Sequence, residues 1–163
     1  MTSLQSILVP MDGSLASLAA LEHAVTLAED YGAKIEVLQV IPEAGAASTS
    51  TSQDGQGALD NAVERARSSL GNRLARRTAT GDPLTRILDA AAEGVDLIVM
   101  GTHGHVGRLH EMLGSVAEGV VRNAPCPVLT VRDPRNGYQS FADRRHHRPS
   151  VAERPHRTSQ SGR

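Results

Sequence analysis

The sequence predicts a single Rossmann-like, doubly wound α/β domain whose parallel sheet is covered by helices on both faces. Two observations carry that expectation. Short apolar runs rich in β-branched residues alternate with longer stretches in which apolar residues recur every three or four positions. Strands that alternate with amphipathic helices pair in parallel through right-handed crossovers, and their crossover helices cover both sheet faces. The 163 residues, 39% of them hydrophobic, suffice for one core and not comfortably for two.

Each element follows from local chemistry. Residues 5–11 (QSILVPM) read as a buried strand ending in Asp12-Gly13-Ser14, a turn joined to a helix start. Over residues 15–31, Leu15, Leu18, Leu21, Val25 and Ala28 form an apolar stripe, and Gly32 supplies the stop. Residues 34–41 (KIEVLQVI) are a second strand closed by Pro42. Residues 43–57 offer almost nothing to bury and are expected to form a flexible insertion. Helical spacing resumes over 58–74 through Leu59, Ala62, Val63, Ala66 and Leu70, and 76–80 (RRTAT) is a strand by position alone. Asp82-Pro83 pairs an N-cap carboxylate with proline at the first helical position, ahead of the stripe Leu84, Ile87, Leu88 and Ala91. Residues 95–100 (VDLIVM) are a fourth strand, 101–114 a glycine- and histidine-containing loop, 115–123 a short helix and 126–131 (CPVLTV) the fifth strand.

Composition narrows the function classes. One cysteine, Cys126, permits no intramolecular disulfide and no cysteine-built metal centre within the chain. Aromatic residues make up 2%, which leaves little for base stacking on single-stranded nucleic acid. Neither a membrane-length apolar run nor the pattern of a signal peptide is present, so the expected location is the cytoplasm. Residues 1–133 carry 10 basic and 16 acidic side chains, whereas 134–163 carry 7 and 2. The domain is therefore assigned to 1–133, and 134–163 to a basic, mostly disordered tail that could meet an acidic protein or nucleic acid. The only lysine is Lys34, and neither a GxxxxGK[ST] loop nor a G-x-S-x-G elbow occurs.

In open parallel sheets ligands bind beyond the carboxyl ends of the strands, where the winding reverses. Asp12-Gly13-Ser14 and the glycine loop have the composition for such a site. Gly101, Gly104 and Gly107 would permit close backbone approach, and Gly114-Ser115 leads into a helix whose free N–H groups favour anions. Ser115 with Glu118 three residues later also has the spacing of a capping box, so phosphate cradle and simple cap stand as competing readings. His103, His105 and His110 lack a supporting cluster of acidic or cysteine ligands, and Cys126 between two prolines reads as a small buried hydrophobe.

The stretch Gly101-Thr-His-Gly104, nine further residues, then Gly114-Ser115 resembles the G-x2-G-x9-G-[S/T] nucleotide-binding signature of the universal stress protein family. ILVPMDGS near the start, VDLIVM before the motif and NAPCPVLTVR after it are similar to the family's flanks, over approximately residues 3–132. The resemblance implies a five-stranded parallel sheet, a homodimer joined through the last strand, and a site for an adenine nucleotide, ATP with Mg2+ as its ion. It implies that Asp12 serves ribose or metal, that Pro10, the backbone near Val40 and Met100 line the pocket, and that Gly101, Gly104, Gly114, Ser115 and Val116 hold ribose and phosphates. His103 stands where many relatives have arginine, which would replace a fixed charge with one that titrates near neutrality. A stress-response regulatory module is the expected function; slow ATP or adenylate hydrolase or transferase chemistry and an adapter acting through the tail are the rivals.

Overall fold

A computed structural model of the chain describes residues 4–43, 53–102, 113–133 and 135. Five strands, β1 (Ser6–Pro10), β2 (Lys34–Ile41), β3 (Leu74–Thr80), β4 (Leu97–Gly101) and β5 (Val128–Val131), alternate with four α-helices, α1 (Leu15–Tyr31), α2 (Gln53–Leu70), α3 (Pro83–Ala91) and α4 (Ser115–Asn123). The sheet is parallel throughout, in the order β3-β2-β1-β4-β5. Winding runs outward from β1 through β2 to β3 and then returns to β4 on the other side of β1, which places the switch point between β1 and β4.

Both sheet faces are buried, and the two-residue period of the strands divides the core. Ile7, Val9, Ile35, Val37 and Val99 meet the small and aliphatic residues of α1 and α2 on one face. Leu8, Leu38, Ile98 and Met100 meet Ile87, Ala90 and Ala91 of α3 with Ala117 and Val120 of α4 on the other. The helix starts obey the expected capping chemistry at α1 and α3. Ser14 Oγ accepts from Ser17 N at 3.2 Å, and Asp82 Oδ2 accepts from Thr85 N at 2.9 Å with Pro83 in the first turn. Gly32, at φ 71°, ends α1 in the left-handed conformation that favours glycine, and Arg73 Nη1 donates to the Ala28 carbonyl at 2.7 Å near that end.

The middle of the chain differs from the sequence reading in two places. Residues 53–57, assigned there to a flexible insertion, begin α2; residues 44–52 lie outside the described residues. Asp54 suits the positive end of the helix dipole. Gln56 accepts from Gln39 Nε2 at 2.7 Å and donates to Asp60 at 3.1 Å. Polar side chains that appeared to have nothing to bury thus tie the first turn to the sheet. The same helix ends at Leu70, four residues early, because Gly71 at φ 56° turns the chain into a short 3-10 segment, and Leu74 joins β3.

Strand β3 tolerates arginines because it is an edge strand with acidic neighbours. Arg76 meets Asp60 at 2.7 Å, and Arg77 meets Glu36 at 2.7 Å and Glu93 at 3.0 Å. No helix among the described residues is long and apolar enough to cross a membrane.

Two outcomes are expected from this framework. Leu59, fully buried on α2, should cost about 3 kcal/mol when replaced by alanine, measured by urea denaturation, if α2 is integral to the core. Hydrogen bonds from the Thr85 backbone and hydroxyl hold the Asp82 carboxyl below its ordinary range. Its folded pKa is depressed, so its contribution is present above the unfolded carboxylate pKa and lost as pH falls through the folded value. The gap in thermal midpoint between wild type and Asp82→Ala should therefore be open at neutral pH and close as pH falls below the ordinary carboxylate range.

Candidate functional site

The site is built around the carboxyl end of β4. β1 ends at the buried Pro10, and Met11 N still donates to Leu38 O at 2.9 Å before the chain turns away. Gly13, at φ 80°, makes the turn, and Ser14 N donates to Asp12 Oδ1 at 3.0 Å. This orients the half-buried Asp12 carboxylate at the start of α1. Pairing between β1 and β2 stops at Pro10 with Leu38. The Leu38 carbonyl faces β1, so by the strand period the backbone polar groups of Val40 face the same side, beyond the last paired β1 residue. Val40 itself is half-buried against the α3/α4 core, as are Leu84 and Val116, and it pairs with Ala79 of β3. Met100 is buried in that core at the end of β4.

Across β4, Thr102 closes the base of the glycine loop. Its N–H donates to Val131 O at 2.8 Å and its carbonyl accepts from Gly114 N at 2.9 Å, so α4 begins beside the end of β4. Nothing in the sequence singled out Thr102; its role depends on pairing partners 12 and 29 positions away. Gly114 is the N-cap of α4 at φ −60°, ψ 154°, with no side-chain cap. Glu118 N makes the first intrahelical bond, to Gly114 O at 2.9 Å, which leaves the N–H groups of Ser115, Val116 and Ala117 without a backbone acceptor among the described residues. Ser115 is exposed at the first helical position. These donors and the aligned peptide dipoles make a seat for an anion.

Two expectations are revised by this geometry, and a third residue gains a packing role. Ser115 lies inside the helix and not at its cap, so the Ser115–Glu118 capping box does not form; Glu118 instead pairs with Arg122 at 2.8 Å. The N–H of Gly114 is committed to Thr102, so the donors available to an anion begin at Ser115. Gly101 clears space for α1: a Cβ there would sit 2.9 Å from the Ala16 carbonyl carbon, Ala16 Cβ and Ser17 N. Gly104, Gly107, His103, His105, Arg108 and His110 lie outside the described residues.

The surroundings match the composition of the mouth. Leu15 at the start of α1, Ile41 at the end of β2 and Leu113 before α4 are exposed large hydrophobics on this edge, an apolar rim around polar donors. Lys34 begins β2 and so lies at the opposite, amino edge of the sheet. Among the described residues no group of three His, Cys, Asp or Glu side chains could hold a metal ion. Burial pushes the Cys126 thiol upward, and it packs against the α3/α4 core. An open groove of about 450 Å³ runs beside α4, lined by Leu113, Glu118, Val121 and Arg122, but its charged groups are already paired with each other.

Known proteins share both sequence and fold. A universal stress protein of Methanocaldococcus jannaschii is 35% identical over 143 residues, covering 80% of this chain and 84% of that protein. The structure of UspA from Lactobacillus plantarum superposes with a TM-score of 0.70 at 26% identity, covering 81% of this chain and all of that one. A universal stress protein solved in complex with cAMP superposes with a TM-score of 0.63 at 26% identity, covering 81% of this chain and 99% of that one. The family description of the universal stress proteins matches residues 3–132, and with a parallel five-stranded sheet whose winding reverses between β1 and β4 this chain belongs to the universal stress protein family.

Proposed function

We propose that this chain binds an adenine nucleotide, ATP with Mg2+, at the edge between β1 and β4, and acts as a cytoplasmic regulatory module of a stress response. The uncapped first turn of α4 beside the Asp12 turn carries this reading: donors for phosphate on one side, a carboxylate for ribose hydroxyls or the metal on the other. The base rests against Pro10, Val40 and Met100, where the backbone of Val40 offers a donor and an acceptor past the end of β1. Phosphates take the N–H groups of Ser115 and Val116, together with the glycine loop that holds Gly104. The cAMP bound by a relative of the same fold supports the ligand class.

The sheet itself favours a binding role over fast catalysis. The only lysine is Lys34, at the far edge, so no lysine of this chain clamps a terminal phosphate in the manner of a P-loop enzyme.

Mass spectrometry of nucleotide released from the purified protein tests the ligand, with an adenine nucleotide expected. Ser115→Pro tests the seat. Proline suits the first helical position, and Gly114 already has the extended ψ of 154° that a residue before proline requires. The variant should keep its thermal midpoint to within about 2 °C. It should bind ATP about tenfold more weakly, a loss of ~1.4 kcal/mol, by isothermal titration. Unchanged affinity would remove α4 from the site.

We also propose a homodimer joined through β5, whose outer edge has no strand partner among the described residues. Light scattering at micromolar concentration should report twice the 17.2 kDa chain mass. A persistent monomer contradicts it.

A further inference from the structure

We infer that Gly101 is a positioning residue: it seats the Asp12 carboxylate through the first turn of α1, and its lack of a side chain serves that helix and not the nucleotide. The inference rests on the nucleotide site proposed above. Its starting point is the space a side chain at 101 would need. A Cβ there would lie 2.9 Å from the carbonyl carbon and Cβ of Ala16 and from Ser17 N, all closer than carbon makes contact without displacement. Two of those three atoms are backbone, so no rotamer change relieves the overlap.

The displacement has one route. Gly101 cannot withdraw, because β4 is held by β1 on one side and by β5 on the other, where Gly101 pairs with Val131 and Thr102 N donates to Val131 O at 2.8 Å. The start of α1 must move instead, and it is joined rigidly to Asp12. Ser17 N donates to Ser14 Oγ at 3.2 Å, Ser17 Oγ donates to Ser14 O at 2.9 Å, and Ser14 N donates to Asp12 Oδ1 at 3.0 Å. Ala16, Ser14 and Ser17 are all buried, so this chain of contacts has no slack to absorb a shift. A methyl group at 101 therefore reaches the ligand site at Asp12 without itself facing the ligand.

A double-mutant cycle on the full-length protein separates this from direct contact. ATP with magnesium is titrated calorimetrically into wild type, Gly101→Ala, Asp12→Ala and the double variant. Gly101→Ala should weaken binding about tenfold in the wild-type background and less than about twofold once Asp12 is gone, because the route ends there. Equal fold-losses in both backgrounds would overturn the inference, since a glycine that itself touches nucleotide acts independently of Asp12. Adding Ala16→Gly, which removes one of the three crowding atoms, should restore part of the lost affinity. Should Gly101→Ala fail to fold, Ala16→Val crowds the same contact from the helix with Gly101 intact, and it should produce the same Asp12-dependent loss; undiminished affinity there overturns the inference. Backbone amide spectra without ligand give a readout that does not depend on the nucleotide reading. The amides of Ser14 and Ser17 should shift in the crowded variant, and unmoved resonances reject the positioning role. If wild type binds neither ATP nor AMP while those amides do shift, the nucleotide reading fails and the mechanical link stands.

Discussion

Because β4 returns to pair with β1 on the side away from β2, α1 has to lie over β1 and β4 together, and its first turn must meet the end of β4 at backbone distance. That close approach organises the mouth of the domain. It requires glycine at 101, where any side chain would enter α1. It also requires small residues on the helix, and the buried face of α1 is mainly alanine, with Ala16, Ala19, Ala20, Ala24 and Ala28 all inside. A helix so faced can sit close to a parallel sheet, and it brings the Asp12 turn and the start of α4 to either side of one strand end.

Around that end, backbone hydrogen bonding decides which groups a ligand can use. Thr102 commits its N–H to β5 and its carbonyl to Gly114, so the base of the glycine loop is a closed polar joint. Ser14 N donates to Asp12 Oδ1 and so fixes the carboxylate at the start of α1. Among the described residues, the first-turn donors of α4 have no backbone acceptor and the Val40 backbone groups lie past the last β1 pair. Buried backbone groups without partners are costly, whereas groups at a helix start or strand end can keep water until a ligand replaces it. The site is thus assembled from the places where regular structure runs out of internal partners.

The far side of the sheet uses charge differently. Gln39, Gln56, Asp60 and Arg76 form a closed ring: Gln39 donates to Gln56, Gln56 and Arg76 donate to Asp60, and Arg76 donates back to Gln39. Every member finds a partner, which lets a polar side chain occupy a buried strand position without leaving an unsatisfied group. The ring binds the start of α2 to β2 and β3, and so anchors β2 one residue before Val40.

Much of the architecture is written in local chemistry. The β-branched runs, the stripes of α1 and α3, the Ser14 and Asp82 caps and the G-x2-G-x9-G-S spacing are properties of neighbouring residues, and they determine element order, parallel pairing and family. Where the reading went astray, a distant partner was responsible. Residues 53–57 are polar and glycine-containing, which is the composition of a loop, until Gln39 and Asp60 engage Gln56. Ser115 and Glu118 have capping-box spacing, but the bond between Gly114 and Thr102 sets the helix start one residue earlier. Gly101 fits a ligand-approach motif by spacing, and only the packing of α1 against β4 shows that the helix leaves no room for a side chain there. Spacing along a chain specifies what a residue can do with neighbours a few positions away, while hydrogen bonds and steric contacts between segments far apart in sequence settle which of those capacities is used.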